Sequence, residues 1–259
     1  MLREWAWRGR ERVGRLRWRL GLMPVPSHTL AFEVAYNRFG GYCIPSTAKH
    51  RPAAQRVFAG LVWEESTIEY IMAHCGDGDV ITAGTFFGDF LPALSRGIAH
   101  GATLWAFEPN PESYRCAAMT GLINDLRNVN LMHAALGEKR GEGELIIADF
   151  EGKALGGVSQ MRGAIGNERA RGEHAVPVTV VAIDDVVPDT NLVSVLQLDV
   201  EGAESAALTG AMATIRRGRP RLVLETLPEE GSWLAKELDT LGYRIDCKLG
   251  SENTAFRAG

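Results

Sequence analysis

The segment that most constrains the fold of this chain is the run from Leu196 to Glu204, which reads LQLDVEGAE. Its apolar start ends at the carboxylate of Asp199, and a second carboxylate, Glu201, follows two positions later. A glycine then leads into an alanine-rich stretch that is typical of a helix. Open α/β sheets bind ligands outside the carboxyl ends of their strands. The run therefore predicts an acidic ligand site on a strand-to-helix loop.

Apolar strand patterns alternate with helical patterns from residue 76 onward, which predicts a mostly parallel, doubly wound α/β sheet with crossover helices. The predicted strands cover residues 79–83, 103–107, 129–136, 193–199 and 222–226, and the predicted helices cover 89–99, 111–121, 203–215 and 232–241. Residues 243–248 and 252–257 predict a C-terminal antiparallel hairpin. Two further β segments, 143–149 and 176–183, flank a glycine-rich insert at 152–172.

The first 75 residues lack this alternation and are predicted to form an N-terminal helical extension on a Rossmann-like domain over 76–259. Within the extension, residues 52–75 predict one helix. Residues 1–22 repeat apolar side chains at spacings of three and four among arginines, which also predicts a helix. An arginine-rich amphipathic helix suits the surface of an anionic membrane. Packing against a partner subunit is the alternative.

The charge of the chain is unevenly distributed. Residues 1–20 contain seven arginines and two glutamates, a net charge of +5, so the rest of the chain carries −9 of the total of −4. This acidic body argues against a nucleic-acid partner. The four cysteines form no CxxC pair, no apolar stretch is long enough to span a bilayer, and arginines interrupt the start. These features predict a cytoplasmic protein, with a peripheral position at the inner membrane surface as an alternative.

A second predicted strand end carries a loop with two glycines, Gly84 and Gly88, where a ligand can approach the backbone closely. Glu108 ends the next strand 20 residues after Gly88. In doubly wound folds an acid at this distance accepts hydrogen bonds from ribose hydroxyls. The loop lacks the middle glycine of the GxGxxG motif, so an adenosine-type cofactor other than NAD is favoured. An NAD-dependent oxidoreductase remains the alternative.

Four segments together resemble the FkbM family of S-adenosylmethionine-dependent methyltransferases over about residues 79–227. They are the glycine loop, Phe107-Glu108-Pro109-Asn110-Pro111, Ala134-Ala135-Leu136-Gly137 and Leu198-Asp199-Val200-Glu201-Gly202-Ala203-Glu204. The resemblance implies a Rossmann-like class I methyltransferase fold. It also implies methyl transfer to a hydroxyl of a sugar, a glycan or a glycosylated natural product.

The resemblance further implies which residues bind S-adenosylmethionine. They are Gly84, Phe86, Gly88, Asp89, Glu108, Asn110, His133, Ala134 and Asp199, with His133 and Ala134 along the adenine. Many relatives have an acid at the position of Thr82 and an asparagine at the position of Phe86. Because these two polar contacts are missing here, a non-catalytic binding protein is a second alternative.

Three acids at strand ends, Asp199, Glu201 and Glu225, are the predicted catalytic residues. A sugar hydroxyl becomes a good nucleophile when a base removes its proton, so acids beside the cofactor suit this chemistry. His133 and His174 are further candidate bases, or else ordinary strand and loop residues. The insert at 152–172 is predicted to shape the acceptor site.

A divalent cation is a second cofactor that the acids of this chain could hold. Hard cations are bound by clustered carboxylates, and Asp184 and Asp185 could form such a cluster with Asp199. The alternative is that the pair Asp184-Asp185 caps a helix or forms a turn.

Overall fold

The computed structural model describes residues 30–149, 151–163 and 174–259. Residues 32–259 form one compact unit, and the helix predicted over 1–22 lies outside the described residues. The strands are β1 (Phe32–Asn37), β2 (Gly40–Pro45), β3 (Asp79–Ala83), β4 (Leu104–Phe107), β5 (Val129–Met132), β6 (Ala135–Leu136), β7 (Gly141–Ala148), β8 (Gln160–Met161), β9 (His174–Val181), β10 (Val193–Leu198), β11 (Arg221–Leu224), β12 (Tyr243–Leu249) and β13 (Asn253–Ala258). The helices are α1 (Pro52–Phe58), α2 (Glu65–His74), α3 (Leu91–Gly97), α4 (Pro111–Ile123), α5 (Ile183–Val186), α6 (Glu204–Thr209), α7 (Met212–Gly218) and α8 (Trp233–Thr240).

The segment before the central sheet differs from the predicted helical extension. Strands β1 and β2 form an antiparallel hairpin, and the single helix predicted over 52–75 is divided into α1 and α2. The hairpin is fastened to α4, because Thr120 Oγ1 accepts the backbone N–H of Cys43 at 3.0 Å and Asn124 Nδ2 donates to the Gly41 carbonyl at 2.6 Å. The compact unit therefore begins at residue 32 rather than at residue 76.

The central sheet has seven strands in the order β12-β13-β11-β10-β3-β4-β5. The five strands from β11 to β5 are parallel, and β13 runs antiparallel to both β11 and β12. The predicted doubly wound, mostly parallel sheet and the predicted C-terminal hairpin are confirmed. The predicted strand over 129–136 is interrupted, and its second part, β6, joins another sheet of four strands in the order β6-β9-β7-β8.

Apolar side chains cover both faces of the central sheet, as a parallel sheet between helices requires. Ile81, Leu196 and Leu222 belong to the cluster on one face. Val80, Val195 and Val223, their neighbours in sequence, belong to the cluster on the other face. Strands β3 and β10 are adjacent in the sheet. From β3 the chain continues to β4 and β5 on one side, and from β10 it continues to β11 on the other side. The carboxyl ends of β3 and β10 therefore form the switch point at which open α/β sheets bind ligands.

No helix within the described residues is both long enough and apolar enough to pass through a bilayer.

Candidate active site

A cleft opens at the carboxyl ends of β3, β4 and β10. Open α/β sheets bind their ligands at this end of the strands. Of the predicted cofactor residues, Gly84, Glu108, Ala134 and Asp199 line the cleft. The insert supplies a further wall, which consists of Gly156, Gly157, Ser159 and Met161.

Glu108 ties the glycine loop to the end of β4. Its Oε2 accepts the backbone N–H of Phe86 at 2.6 Å, and its Oε1 accepts the backbone N–H of Asn110 at 2.8 Å. Burial raises the pKa of Glu108 to about 8, although these two hydrogen bonds act in the opposite direction. Each carboxylate oxygen has a second lone pair, so Glu108 can still accept hydrogen bonds from the hydroxyl groups of a ligand.

Asn110 and Phe86 build the wall of the cleft from behind. The Asn110 Oδ1 accepts the N–H groups of Glu112 and Ser113 at the start of α4. Its Nδ2 donates to Ser159 Oγ at 3.0 Å, and this hydrogen bond holds the insert against the loop after β4. A Cβ atom on Gly157 would lie 3.2 Å from the Phe86 ring, so this ring and the insert are in direct contact.

Thr82, at the position where many relatives have an acid, forms a side-chain hydrogen bond within the fold. Thr82 and Gln197 are paired in register on β3 and β10, and the Thr82 hydroxyl donates to Gln197 Oε1. Both side chains line a smaller cavity of about 260 Å³, together with Asp89 and Asp199. Burial, and then the negative charge of Glu64, raises the pKa of Asp89 to about 8. A half-buried acid, Asp89, thus lines the same cavity as Thr82.

Phe86, which replaces the asparagine of many relatives, has a left-handed backbone with φ of +50°. Asparagine tolerates this conformation well, whereas it is uncommon for a bulky residue. The cost is offset by the hydrogen bond from its N–H to Glu108 and by the packing of its ring on Phe87, with 4.7 Å between ring centroids. The substitution is therefore accommodated by the fold.

The three predicted catalytic acids come together at one end of the cleft. One carboxylate oxygen each from Asp199, Glu201 and Glu225 lies within 4.8 Å of the others. Burial, followed by the negative charges of Glu225 and Glu64, raises the pKa of Asp199 well above its usual value. Burial and then the charge of Glu225 raise the pKa of Glu201 to about 7. Such close carboxylates disfavour each other's ionised forms, so Asp199 and Glu201 hold their protons to higher pH than ordinary acids do.

Glu204 fixes the backbone of the acidic loop. Its Oε1 accepts the N–H of Val200 at 3.0 Å, and its Oε2 accepts the N–H of Gly202 at 3.1 Å. Between them, Glu201 has a left-handed φ of +53°. The buried Glu204 therefore does more than favour the start of α6. It holds the backbone on both sides of Glu201 and so orients the Glu201 side chain.

Several predicted site residues lie elsewhere. His133 is exposed, stacks on Tyr114 with 4.6 Å between ring centroids, and lies 3.1 Å from the Pro109 carbonyl through its Nε2. His174 is exposed on β9. Neither histidine lines the cleft, and both fit the alternative of ordinary strand or loop residues. Gly88 packs against α3, since a Cβ atom there would lie 3.0 Å from Leu91.

The predicted cation set of Asp184, Asp185 and Asp199 is not assembled within the described residues. Asp184 accepts the backbone N–H groups of Ala213 and Thr214, both at 2.8 Å, at the start of α7. This is the capping alternative. The acids that do approach each other within ligating distance are Asp199, Glu201 and Glu225.

Sequence reasoning missed two charged residues of the site, Arg51 and Glu64. Both precede the central sheet in a segment that was interpreted as an extension, and neither stands in a recognisable motif. The influence of Glu64 on the pKa of Asp89, and of Glu201 on the pKa of Arg51, shows that both residues are close to the acidic cluster. Tertiary packing brings them there, with α1 against β1 and α2 against β10.

Comparison with known families gives one match that covers most of the chain. The sequence model of the methyltransferase FkbM domain matches residues 73–245. No curated protein matches the chain significantly.

Among solved structures, the chain is similar to a methyltransferase FkbM from Methylobacillus flagellatus KT. The identity is 17%, the match covers 70% of this chain and 43% of that one, and the TM-score is 0.45. This chain thus spans less than half of the length of that relative. A SAM-dependent methyltransferase from Aquifex aeolicus has 14% identity, 75% and 88% coverage and a TM-score of 0.41. A 16S rRNA N2 G1207 methyltransferase from T. thermophilus has 14% identity, 92% and 52% coverage and a TM-score of 0.46.

Proposed function

Because this chain belongs to the FkbM methyltransferase domain family, we propose that it transfers a methyl group from S-adenosylmethionine to a hydroxyl oxygen of a sugar, a glycan or a glycosylated natural product. The prediction of this family, and of an S-adenosylmethionine-dependent methyltransferase domain, is confirmed by the match over 73–245. The observation that carries the proposal for a hydroxyl acceptor is the cluster of Asp199, Glu201 and Glu225, two of which line the cleft.

The residues of the cleft fit an adenosine cofactor with a cationic end. The buried carboxylate of Glu108 suits ribose hydroxyls. Ala134 and Leu136 give an apolar wall for a purine ring. Asp89 and Asp199 line the smaller cavity and suit positively charged groups, because a nearby cation favours the ionised form of a buried acid.

The acidic cluster suits transfer to oxygen. When bound, S-adenosylmethionine supplies a methyl group on a cationic sulfur, which is already activated toward an oxygen nucleophile. Glu201 receives the proton of the acceptor hydroxyl, and its pKa of about 7 suits a general base near neutral pH. Asp199 offsets the positive charge beside it, and Glu225, within hydrogen-bond reach, influences how readily Asp199 ionises.

A divalent cation on the same three acids is a second means of activating the hydroxyl. One oxygen of each acid lies within 4.8 Å of the others, which is compatible with ligands of one hard cation. Turnover that is lost in EDTA and restored by MgCl₂ would favour the cation. Turnover that is unchanged in EDTA would favour the proton transfer to Glu201.

The two rival functions make different predictions. An NAD-dependent oxidoreductase requires NAD binding, for which the loop from Gly84 to Gly88 lacks the middle glycine. A non-catalytic binding protein requires that Thr82 and Phe86 disable the site. Both residues instead have partners within the fold, Gln197 and Glu108.

The proposal is tested by incubating the protein with methyl-labelled S-adenosylmethionine and a panel of glycosides. We expect a product that is heavier by one methyl group, with the label on oxygen. Glu201→Gln should lose most of this activity, whereas the matched control Glu138→Gln, at an exposed position on the turn before β7, should keep it. Label on nitrogen or carbon, or no transfer to any glycoside, would contradict the proposed acceptor class.

A further inference from the structure

A second pocket adjoins the cofactor cleft. It has a volume of about 380 Å³, and its polar lining consists of His50, Arg51, Asp149, Lys153, Gln160 and Glu201. Glu201 lines both spaces, so a molecule in this pocket reaches the proposed base.

The wall between the two spaces is the insert segment 155–161. Gly156, Gly157 and Ser159 line the cofactor cleft, whereas Leu155, Val158 and Gln160 line the second pocket. One short segment thus has the cofactor space on one side and the pocket on the other. This arrangement places the pocket where an acceptor must lie if its hydroxyl is to meet the cofactor beside Glu201.

Arg51 is a cation that lines this pocket. Burial lowers the pKa of Arg51, while the charges of Glu201 and Asp149 counter this effect, and a guanidinium remains protonated in proteins. Its buried Nε has no hydrogen-bond partner among the described residues, so the fold satisfies the guanidinium only in part.

Lys153 adds a second positive charge, and a tight turn fixes its position. The Asp149 Oδ1 accepts the N–H groups of Glu151 and Lys153 at 3.0 and 2.8 Å. Asp149 is therefore partly engaged with the backbone. Neither Arg51 nor Lys153 forms an ion pair with another described residue. The two cations are available to a ligand.

We propose that this pocket binds an anionic oxygen group of the acceptor, a phosphate or a carboxylate, through Arg51 and Lys153. Arginine matches the planar geometry of these groups with two parallel hydrogen bonds, and lysine contributes a point charge. The acceptor is then an acidic sugar derivative whose hydroxyl lies beside Glu201. This inference rests on the proposed function for the transfer of the methyl group, but binding of the anion can be measured without it.

The test compares three sugars that share a glucose ring: glucose, glucuronate and glucose 6-phosphate. Each is titrated by calorimetry into protein saturated with S-adenosylhomocysteine, at constant ionic strength. We expect at least one of the two anionic sugars to bind about tenfold or more tightly than glucose, and the comparison between them distinguishes carboxylate from phosphate. Equal affinity for all three sugars, or no binding of any, would overturn the inference.

Arg51→Gln and Lys153→Gln should each remove most of the preference for the anionic sugar and leave the affinity for S-adenosylhomocysteine unchanged. The matched controls Arg217→Gln and Lys139→Gln lie at exposed positions on α7 and on the turn before β7, and should keep the preference. A preference that survives both pocket variants would place the anion elsewhere and contradict the proposal. Failure of the proposed function would be distinct, because anion binding would persist without any methyl transfer.

Discussion

Gly84 and Asp199 are in direct backbone contact. A Cβ atom added to Gly84 would lie 1.7 Å from the carbonyl oxygen of Asp199, and the Asp199 N–H donates to the carbonyl of Ala83 at 3.1 Å. The cofactor loop after β3 and the acidic loop after β10 therefore share one rigid junction. This contact explains why glycine is required at position 84 before any ligand is considered.

Gly84→Ala should therefore damage both stability and cofactor binding. The alanine would clash with Asp199 and would have to adopt the present φ of +81°. We expect the free energy of unfolding to fall by about 2 kcal/mol or more, since strain and overpacking each cost on the order of 1–3 kcal/mol. Urea denaturation and calorimetric titration of S-adenosylhomocysteine measure the two effects.

Gly121→Ala is the matched control. This glycine lies in α4, and no atom would be within 4 Å of an added Cβ atom. Alanine is favoured over glycine in helices by about 1 kcal/mol, so we expect equal or greater stability and unchanged affinity. If Gly84→Ala behaved like this control, the junction would not be rigid.

Asn110→Ala should separate the two tasks of this side chain. Loss of the cap on α4 should lower the free energy of unfolding by about 1 kcal/mol. Loss of the bond to Ser159 should also release the wall of the cleft and weaken S-adenosylhomocysteine binding. Ser232→Ala removes an equivalent cap from α8, where Ser232 Oγ accepts the N–H of Ala235 at 3.1 Å. We expect this control to lose similar stability but no affinity, and equal affinities for the two variants would contradict the role of Asn110.

Asp199→Asn should reduce turnover without reducing stability. Asparagine resembles the protonated acid and removes like-charge repulsion with Glu225, so the free energy of unfolding should be unchanged or higher. It cannot offset a positive charge, so we expect turnover to fall by about 100-fold or more. The affinity for S-adenosylmethionine should also fall relative to that for the neutral S-adenosylhomocysteine. A fully active variant would remove Asp199 from the mechanism.

The buried acids predict a distinct dependence of stability on pH. The pKa values of Glu108 and Asp89 are raised to about 8 from 4.5 and 3.8. The folded state thus holds protons that the unfolded state has released, so stability is lost as the pH rises toward the folded values. We expect the free energy of unfolding of the ligand-free protein to fall between about pH 5 and about pH 8.

A series of urea denaturation curves across this range measures the slope. Asp89→Asn should flatten it, because the amide does not titrate but can still accept the N–H of Phe90. Glu138→Gln, at an exposed position, should leave the slope as it is. A wild-type protein that becomes more stable with rising pH would show that these acids are ionised in the folded state.

The parts of the site that follow from local pattern could be predicted from the sequence. Asp199 and Glu108 end apolar strands, and the ends of parallel strands meet at one edge of a sheet. The resemblance to the family also implies a contact of His133 with the adenine, but the chain bends at His133 between β5 and β6. Ala134 therefore lines the cleft while His133 stacks on Tyr114 outside it.

Other parts depend on packing between distant segments. Arg51 and Glu64 reach the acidic cluster through the packing of α1 on β1 and of α2 on β10, and no local periodicity indicates such an approach. The hairpin of β1 and β2 does have a strand signal, an alternation of Phe32, Val34 and Tyr36, whose side chains are largely exposed. This alternation is a signal for a strand, and the prediction of a helical extension does not account for it.

The most direct test of the central claim is a calorimetric titration of S-adenosylhomocysteine into the wild-type protein and into Glu108→Gln, with NAD as the comparison ligand. The claim is that the cleft between Gly84, Glu108 and Asp199 binds this class of cofactor. We predict one site per chain for S-adenosylhomocysteine, no binding of NAD, and an affinity that falls about tenfold in the variant, as expected for the loss of a hydrogen bond at a buried group. Binding of NAD in place of S-adenosylhomocysteine, or an unchanged affinity in Glu108→Gln, would contradict the assignment of the cleft.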